Sequence, residues 1–202
     1  MTSPSENLFP TEHLLRSRAE REAQLAQRAT VVWLFGLSGS GKTTLANALD
    51  RRLAAEGRFS VVLDGDNIRT GLNRGLGFSD EDRRENIRRV AEVSRLFLQA
   101  GVIVINAFIT PRRELRDLAR SIIGADDLLE VFLEASFDAC AARDPKGLYA
   151  RAGQGAVAKF TGVDSAFEAP DHANLILNTE RQPPAECLES LLAFVRERVS
   201  PP

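Results

Sequence analysis

Short uninterrupted apolar runs alternate with longer amphipathic stretches along the chain. Val31-Val32-Trp33-Leu34-Phe35 is apolar throughout, the pattern of a parallel strand covered on both faces. Runs of the same kind recur at Val61 to Leu63, Val102 to Ile105, Glu130 to Leu133 and Leu175 to Leu177. Each is a predicted strand, and the segments between them are long enough for helices. Thr43 to Glu56 closes at Gly57, a natural residue just past a helix end, and Pro111 to Ile123 opens on proline and stops before Gly124. Ile87, Val90, Ala91, Phe97 and Leu98 keep helical spacing, with Arg88, Arg89, Glu92 and Arg95 on the other face. Ser79 and Asp82 resemble a capping box that starts this helix near Asp80. A last helix is predicted from Ala185 to Val199, and a polar one over residues 11–28, with sparse apolar positions at Leu14, Leu15 and Leu25.

Composition narrows the classes of protein. The chain has 202 residues, 44% of them hydrophobic, and 26 basic against 28 acidic side chains give a net charge of −2. That length suits a single core, and so balanced a charge argues against a broad nucleic-acid or membrane surface. No apolar run approaches the ~18 residues of a spanning helix. Met1 to Pro10 has no basic cluster followed by an apolar run, so no secretory signal is read there and a cytoplasmic location is expected. Cys140 and Cys187 stand apart from any metal-ligand spacing and are expected to pack as buried helix cysteines. His13 and His172 lie outside every motif.

The chemistry begins directly after the first strand. Gly36-Leu37-Ser38-Gly39-Ser40-Gly41-Lys42-Thr43 matches G-x-x-x-x-G-K-[ST] between a strand and a helix. Glycines there let backbone N–H groups converge on phosphate oxygens, Lys42 reaches the β and γ phosphates, and Thr43 offers a hydroxyl to Mg²⁺. The predicted fold is α/β, a three-layer P-loop NTPase type with a mostly parallel five-stranded sheet between helices. Residues 1–30 are expected to form a tail and polar helix, and 31–202 the P-loop domain.

Other candidates cluster at predicted carboxyl ends of strands, where open α/β sheets keep their ligands. Leu63-Asp64-Gly65-Asp66-Asn67-Ile68-Arg69 places two carboxylates and a cation there, with Gly65 expected to turn the backbone sharply. One carboxylate can hold Mg²⁺ through water and the other can accept a proton from an attacking hydroxyl; a simple Asx turn is the alternative. Phe78 can stack on a planar base and Arg83 can grip an oxyanion, with Asn86 on the same helix face. Ile109 and Thr110 follow the third strand, where Thr110 could equally cap the next helix. The basic, glycine-rich stretch over residues 143–162 is expected to be a lid that excludes water.

GLSGSGKTTLANAL, LDGDNIRTGLN, GFSDEDRRENIRR, FITPRR, RDPKGLY and FTGVD occur in this order, and in that order they resemble the adenylylsulfate kinase family. The resemblance implies transfer of the γ-phosphoryl group of MgATP to the 3′-hydroxyl of adenosine 5′-phosphosulfate (APS) in sulfate assimilation. It implies that Gly36, Leu37, Ser38, Gly39, Ser40, Gly41, Lys42, Thr43 and the adjoining Thr44 hold ATP. Asp66, Asn67, Ile68 and Arg69 would contact the acceptor, Phe78 and Phe160 would sandwich its adenine, and Arg83 and Asn86 would bind its phosphosulfate and ribose side. Ile109, Thr110, Lys146 and Lys159 would complete the wall. Asp66 would orient and deprotonate the acceptor hydroxyl, with Lys42 and Mg²⁺ neutralising charge and Thr43 and Asp64 positioning the metal; the two aspartates could exchange roles. Thr110 stands where the family usually has a serine assigned as a phosphoserine intermediate. In-line transfer needs only positioning and charge neutralisation, so Thr110 reads as a hydroxyl of the ligand wall. The stretch from Ala150 to Lys159 is less basic than is usual in the family. Family members are usually homodimers, which would give the N-terminal helix a partner. The other readings are a P-loop kinase for another small hydroxylated metabolite and a non-catalytic nucleotide sensor.

Overall fold

The computed structural model describes residues 9, 11–144, 147–153 and 167–201. Five strands, β1 (Val31–Phe35), β2 (Ser60–Asp64), β3 (Ile103–Ala107), β4 (Leu128–Glu134) and β5 (Leu175–Asn178), form one sheet. Their order is β2-β3-β1-β4-β5, and every pairing is parallel. β1 lies at the centre, with Val31 level with Val104 of β3 and Leu128 of β4. The chain leaves β1 toward one edge and later crosses to the other, so the order reverses beside the carboxyl end of β1. That reversal opens a crevice where such sheets bind ligands.

The helices are α1 (Arg18–Leu25), α2 (Lys42–Ala55), α3 (Gly65–Thr70), α4 (Asp80–Gln99), α5 (Arg113–Ile123), α6 (Phe137–Arg143), α7 (Leu148–Gly153) and α8 (Pro184–Val199). Both faces of the sheet are covered, which is why β1 reads as unbroken apolar sequence. Val32 and Leu34 pack with Leu45, Leu49, Leu191 and Val195 from α2 and α8. Val31, Trp33 and Phe35 pack on the opposite face with Ile87, Val90 and Leu115 from α4 and α5. Cys140 and Cys187 are buried free thiols in α6 and α8, as expected. Among the described residues, no helix is long and apolar enough to cross a membrane.

Several boundaries differ from the sequence reading. The predicted helix over 11–28 resolves into a 3-10 turn at Glu12–Leu14 and then α1. Ser17 and Glu20 make a reciprocal capping box at its start, and Ala26 ends it in the left-handed conformation. β3 runs on through Asn106 and Ala107, where the buried Asn106 Nδ2 donates to Ser94 Oγ at 2.9 Å and offsets part of the cost of a polar residue there. Gly65 makes no left-handed turn: it opens α3, and Asp64 caps that helix. α5 starts at Arg113 rather than Pro111, and its first N–H donates to Glu168 Oε2 at 2.6 Å.

Candidate nucleotide and acceptor site

The phosphate loop joins β1 to α2 and closes only because it is glycine-rich. A Cβ on Gly36 would sit 2.5 Å from the Leu133 carbonyl oxygen, and one on Gly39 2.9 Å from that of Cys140. Gly39 and Gly41 have φ of 78° and 95°, a region that side chains disfavour. Lys42 Nζ donates to the Gly36 and Leu37 carbonyls at 3.0 and 2.6 Å. Thr43 Oγ1 donates to Asp64 Oδ2 at 2.7 Å, while Asp64 Oδ1 accepts from the Asp66 backbone N–H at 3.0 Å. Asp64 thus makes the Asx-type contact through Oδ1 and meets the Thr43 hydroxyl through Oδ2. Asp66 is exposed on the first turn of α3.

The acceptor side is built by α3, α4 and the loop between them. Ser79 caps α4 by accepting from the Asp82 N–H, as the sequence predicts. Phe78, 55% exposed, projects beside it with the Arg69 and Arg83 guanidinium carbons 4.5 and 5.7 Å from its ring centre. Arg69 donates to the Leu76 and Gly77 carbonyls and Arg83 Nε to the Phe78 carbonyl. Partial burial pulls both arginines below their ordinary pKa, and Arg83 is lowered further by the nearby charges of Arg69 and Arg112. Cations crowded at the cost of hydration form a surface that gains by receiving an anion. Asn86 is buried, and its Oδ1 accepts from Asn73 Nδ2 at 2.9 Å.

Both halves open into one cavity of about 1010 Å³, with Lys42, Asp66, Arg83 and Thr110 on its wall. Asn67 and Ile68 lie on α3 between Asp66 and Arg69. Ile109 borders the cavity, and its carbonyl accepts from the Gly36 N–H at 3.3 Å. Thr110 does not cap α5; it is buried with φ 42°, and its hydroxyl accepts from Trp33 Nε1 at 2.9 Å. Lys146, Lys159 and Phe160 lie outside the described residues. Of the expected lid, α7 is described, and Tyr149 on it donates to the Ser38 carbonyl at 2.8 Å.

One stretch of wall escaped the sequence reading. Thr179 to Pro184, after β5, lines the cavity beside the phosphate loop, with Thr179 Oγ1 donating to the Ser40 carbonyl at 3.0 Å. Arg143 Nη2 donates to the Thr179 carbonyl at 2.6 Å. The available signal was position, since this loop also leaves the carboxyl end of a strand.

Fold and site together define a kinase of the P-loop class. A family model described as adenylylsulphate kinase matches residues 28–178. An adenylyl-sulfate kinase of Bacteroides fragilis is 48% identical over 194 residues, 96% of each chain. A probable adenylyl-sulfate kinase of Halalkalibacterium halodurans is 50% identical over 184 residues, 91% of each chain. The Mycobacterium tuberculosis APS kinase, solved in complex with AMPPNP and APS, superposes with a TM-score of 0.79 at 41% identity, covering 84% of this chain and 98% of that one. This chain belongs to the adenylylsulphate kinase family and is a phosphotransferase that uses a nucleotide.

Proposed function

We propose that the protein transfers the γ-phosphoryl group of MgATP to the 3′-hydroxyl of APS, giving 3′-phosphoadenosine 5′-phosphosulfate and ADP in sulfate assimilation. The observation that carries this reading is the single cavity shared by the phosphate loop and the Arg69-Phe78-Arg83 cluster, with Asp66 on its wall. Residues Gly36 to Thr44 bind the triphosphate, and Lys42 exchanges its loop carbonyls for phosphate oxygens. The wall at Arg143 and Thr179 to Pro184 suits the purine of ATP. Asp66 orients the acceptor hydroxyl and takes its proton. Phe78 stacks on the acceptor base, the arginines and Asn86 hold its phosphosulfate, and Asn67, Ile68, Ile109 and Thr110 wall its sugar. Lys146, Lys159 and Phe160 are assigned to the closing side on the family motif alone.

Among the described residues no cluster of three metal-ligating side chains occurs. Mg²⁺ does not need one, because it is held by one or two oxygen side chains together with substrate phosphates and waters. The Thr43 hydroxyl against the Asp64 carboxylate is such an oxygen pair, so these two would hold the ion, Asp64 through water. When bound, Mg²⁺ neutralises charge on the transferring phosphoryl group. The Thr110 hydroxyl, buried on Trp33, supports a structural wall role rather than a phosphoryl carrier. Phe9, Leu14 and Leu15 are exposed apolar side chains near the N-terminus, which support a homodimer. The reading puts the enzyme in the cytoplasm with its ATP supply.

Purified protein with ATP and Mg²⁺ should release ADP rapidly with APS and far more slowly with AMP, which lacks the sulfate. Equal rates with both, or none with APS, would remove the reading.

A further inference from the structure

Thr110 holds a backbone conformation that needs a cause. Its φ of 42° is one of two positive values at non-glycine positions among the described residues, and the other, Ala26, closes a helix. Thr110 ends no helix and carries a branched Cβ, for which the left-handed region is costly. Two side chains from different elements grip it. Trp33 Nε1, from β1, donates to its hydroxyl at 2.9 Å, and Arg116 Nη1, from α5, donates to its carbonyl at 3.1 Å. Both are deeply buried, at 1% and 4% exposure. The guanidinium lies over the Phe35 ring at 5.1 Å and leaves Nη2 without a hydrogen-bond partner among the described residues.

A cation kept in the core with one donor unused is expensive, so its retention calls for a compensating role. We propose that Trp33 and Arg116 are positioning residues for the acceptor: they hold Thr110 in its left-handed conformation and thereby set the Ile109–Thr110 wall. β1 runs directly into the phosphate loop, so the indole that fixes the acceptor wall belongs to the strand that carries the donor site. The Gly36 N–H on the Ile109 carbonyl ties the same two segments a second time. The position of the acceptor wall relative to the donor loop is set through this clamp.

This inference rests on the assignment of APS to that wall, and the test separates the two. Trp33→Phe and Thr110→Val each remove one side of the indole–hydroxyl bond, and each should raise KM for APS roughly tenfold, the scale of one buried hydrogen bond, with KM for ATP unchanged. The double variant should be no worse than either single one, because both delete the same interaction. Thr110→Ser, which keeps the hydroxyl, should restore most of the affinity for APS that Thr110→Val loses. Multiplied effects in the double variant would overturn the clamp, as would parallel rises in both KM values accompanied by a lower unfolding midpoint.

Trp33 is the single tryptophan of the chain, so the bond can be read without any substrate. Thr110→Val should shift the indole N–H marker band in the ultraviolet resonance Raman spectrum, and an unchanged band would overturn the clamp. A shifted band in a protein whose parent form does not phosphorylate APS would leave the hydrogen bond standing and remove the functional assignment instead. A shifted band with an unchanged KM for APS would overturn the positioning role.

Discussion

At the scale of single residues, hydrogen-bond partners fix the direction of several polar side chains of the site. Asp64 divides its two oxygens between the Thr43 hydroxyl and the start of α3, and the exposed Asp66, two residues beyond the cap, lines the same cavity. On the proposed mechanism, replacing Asp66 by Asn keeps the shape and removes the base. Turnover with APS should fall at least ~100-fold, within the usual span for general-base catalysis, while KM for ATP stays constant in steady-state kinetics. Replacing Asp64 by Asn should do different damage, weakening the Thr43 contact and raising the Mg²⁺ concentration needed for half-maximal rate.

At the scale of elements, legibility followed how local the cause was. β1 was readable to the residue because burial on both faces leaves no polar position to blur its ends. α4 was readable at its start because Ser79 caps it within three residues. α3 and α7, with 6 residues each, were missed because so few residues show no helical period. The start of α5 was misplaced because its capping carboxylate, Glu168, lies 55 residues away. The site followed the same rule: the phosphate loop and acidic pair are contiguous motifs, whereas the Thr179 wall and the Trp33–Thr110 contact join distant segments. Two element-scale changes check these causes. Ser79→Ala should cost about 1 kcal/mol of stability, as loss of an N-cap does. α1 has no buried residue and is tied down by Arg18, which donates to both Asp127 oxygens and to the Ala29 carbonyl. Arg18→Met should therefore speed amide hydrogen exchange in α1 while leaving that of β1 unaltered.

At the scale of the whole molecule, stability depends on ligand and on acid. Ligands that bind only the folded cavity at about a hundred times their Kd contribute about 2.7 kcal/mol, or roughly 5–10 °C in the unfolding midpoint. A non-hydrolysable ATP analogue and APS should each raise the midpoint in a thermal melt. Hydrogen bonds from Arg88 and Arg89 pull the Glu85 carboxyl from its ordinary 4.5 down to about 2. Arg196 likewise lowers Glu56, and the Ser136 backbone N–H lowers Glu180. A carboxyl with a depressed folded-state pKa stabilises the protein above its unfolded value and loses that contribution as pH falls through the folded one. Unfolding midpoints should therefore drop between pH 4.5 and about 2, and Glu85→Gln should flatten part of that slope.

The ammonium of Lys42 already has company in its own loop, where the Gly36 and Leu37 carbonyls occupy it at 3.0 and 2.6 Å. Any visitor must outbid them. A ligand bearing a single phosphate trades two good contacts for little more, whereas a polyphosphate chain with its denser charge recovers the loss and adds to it. On the proposed function, the resting lysine would favour the triphosphate donor over monophosphates, which gain less from displacing its carbonyls.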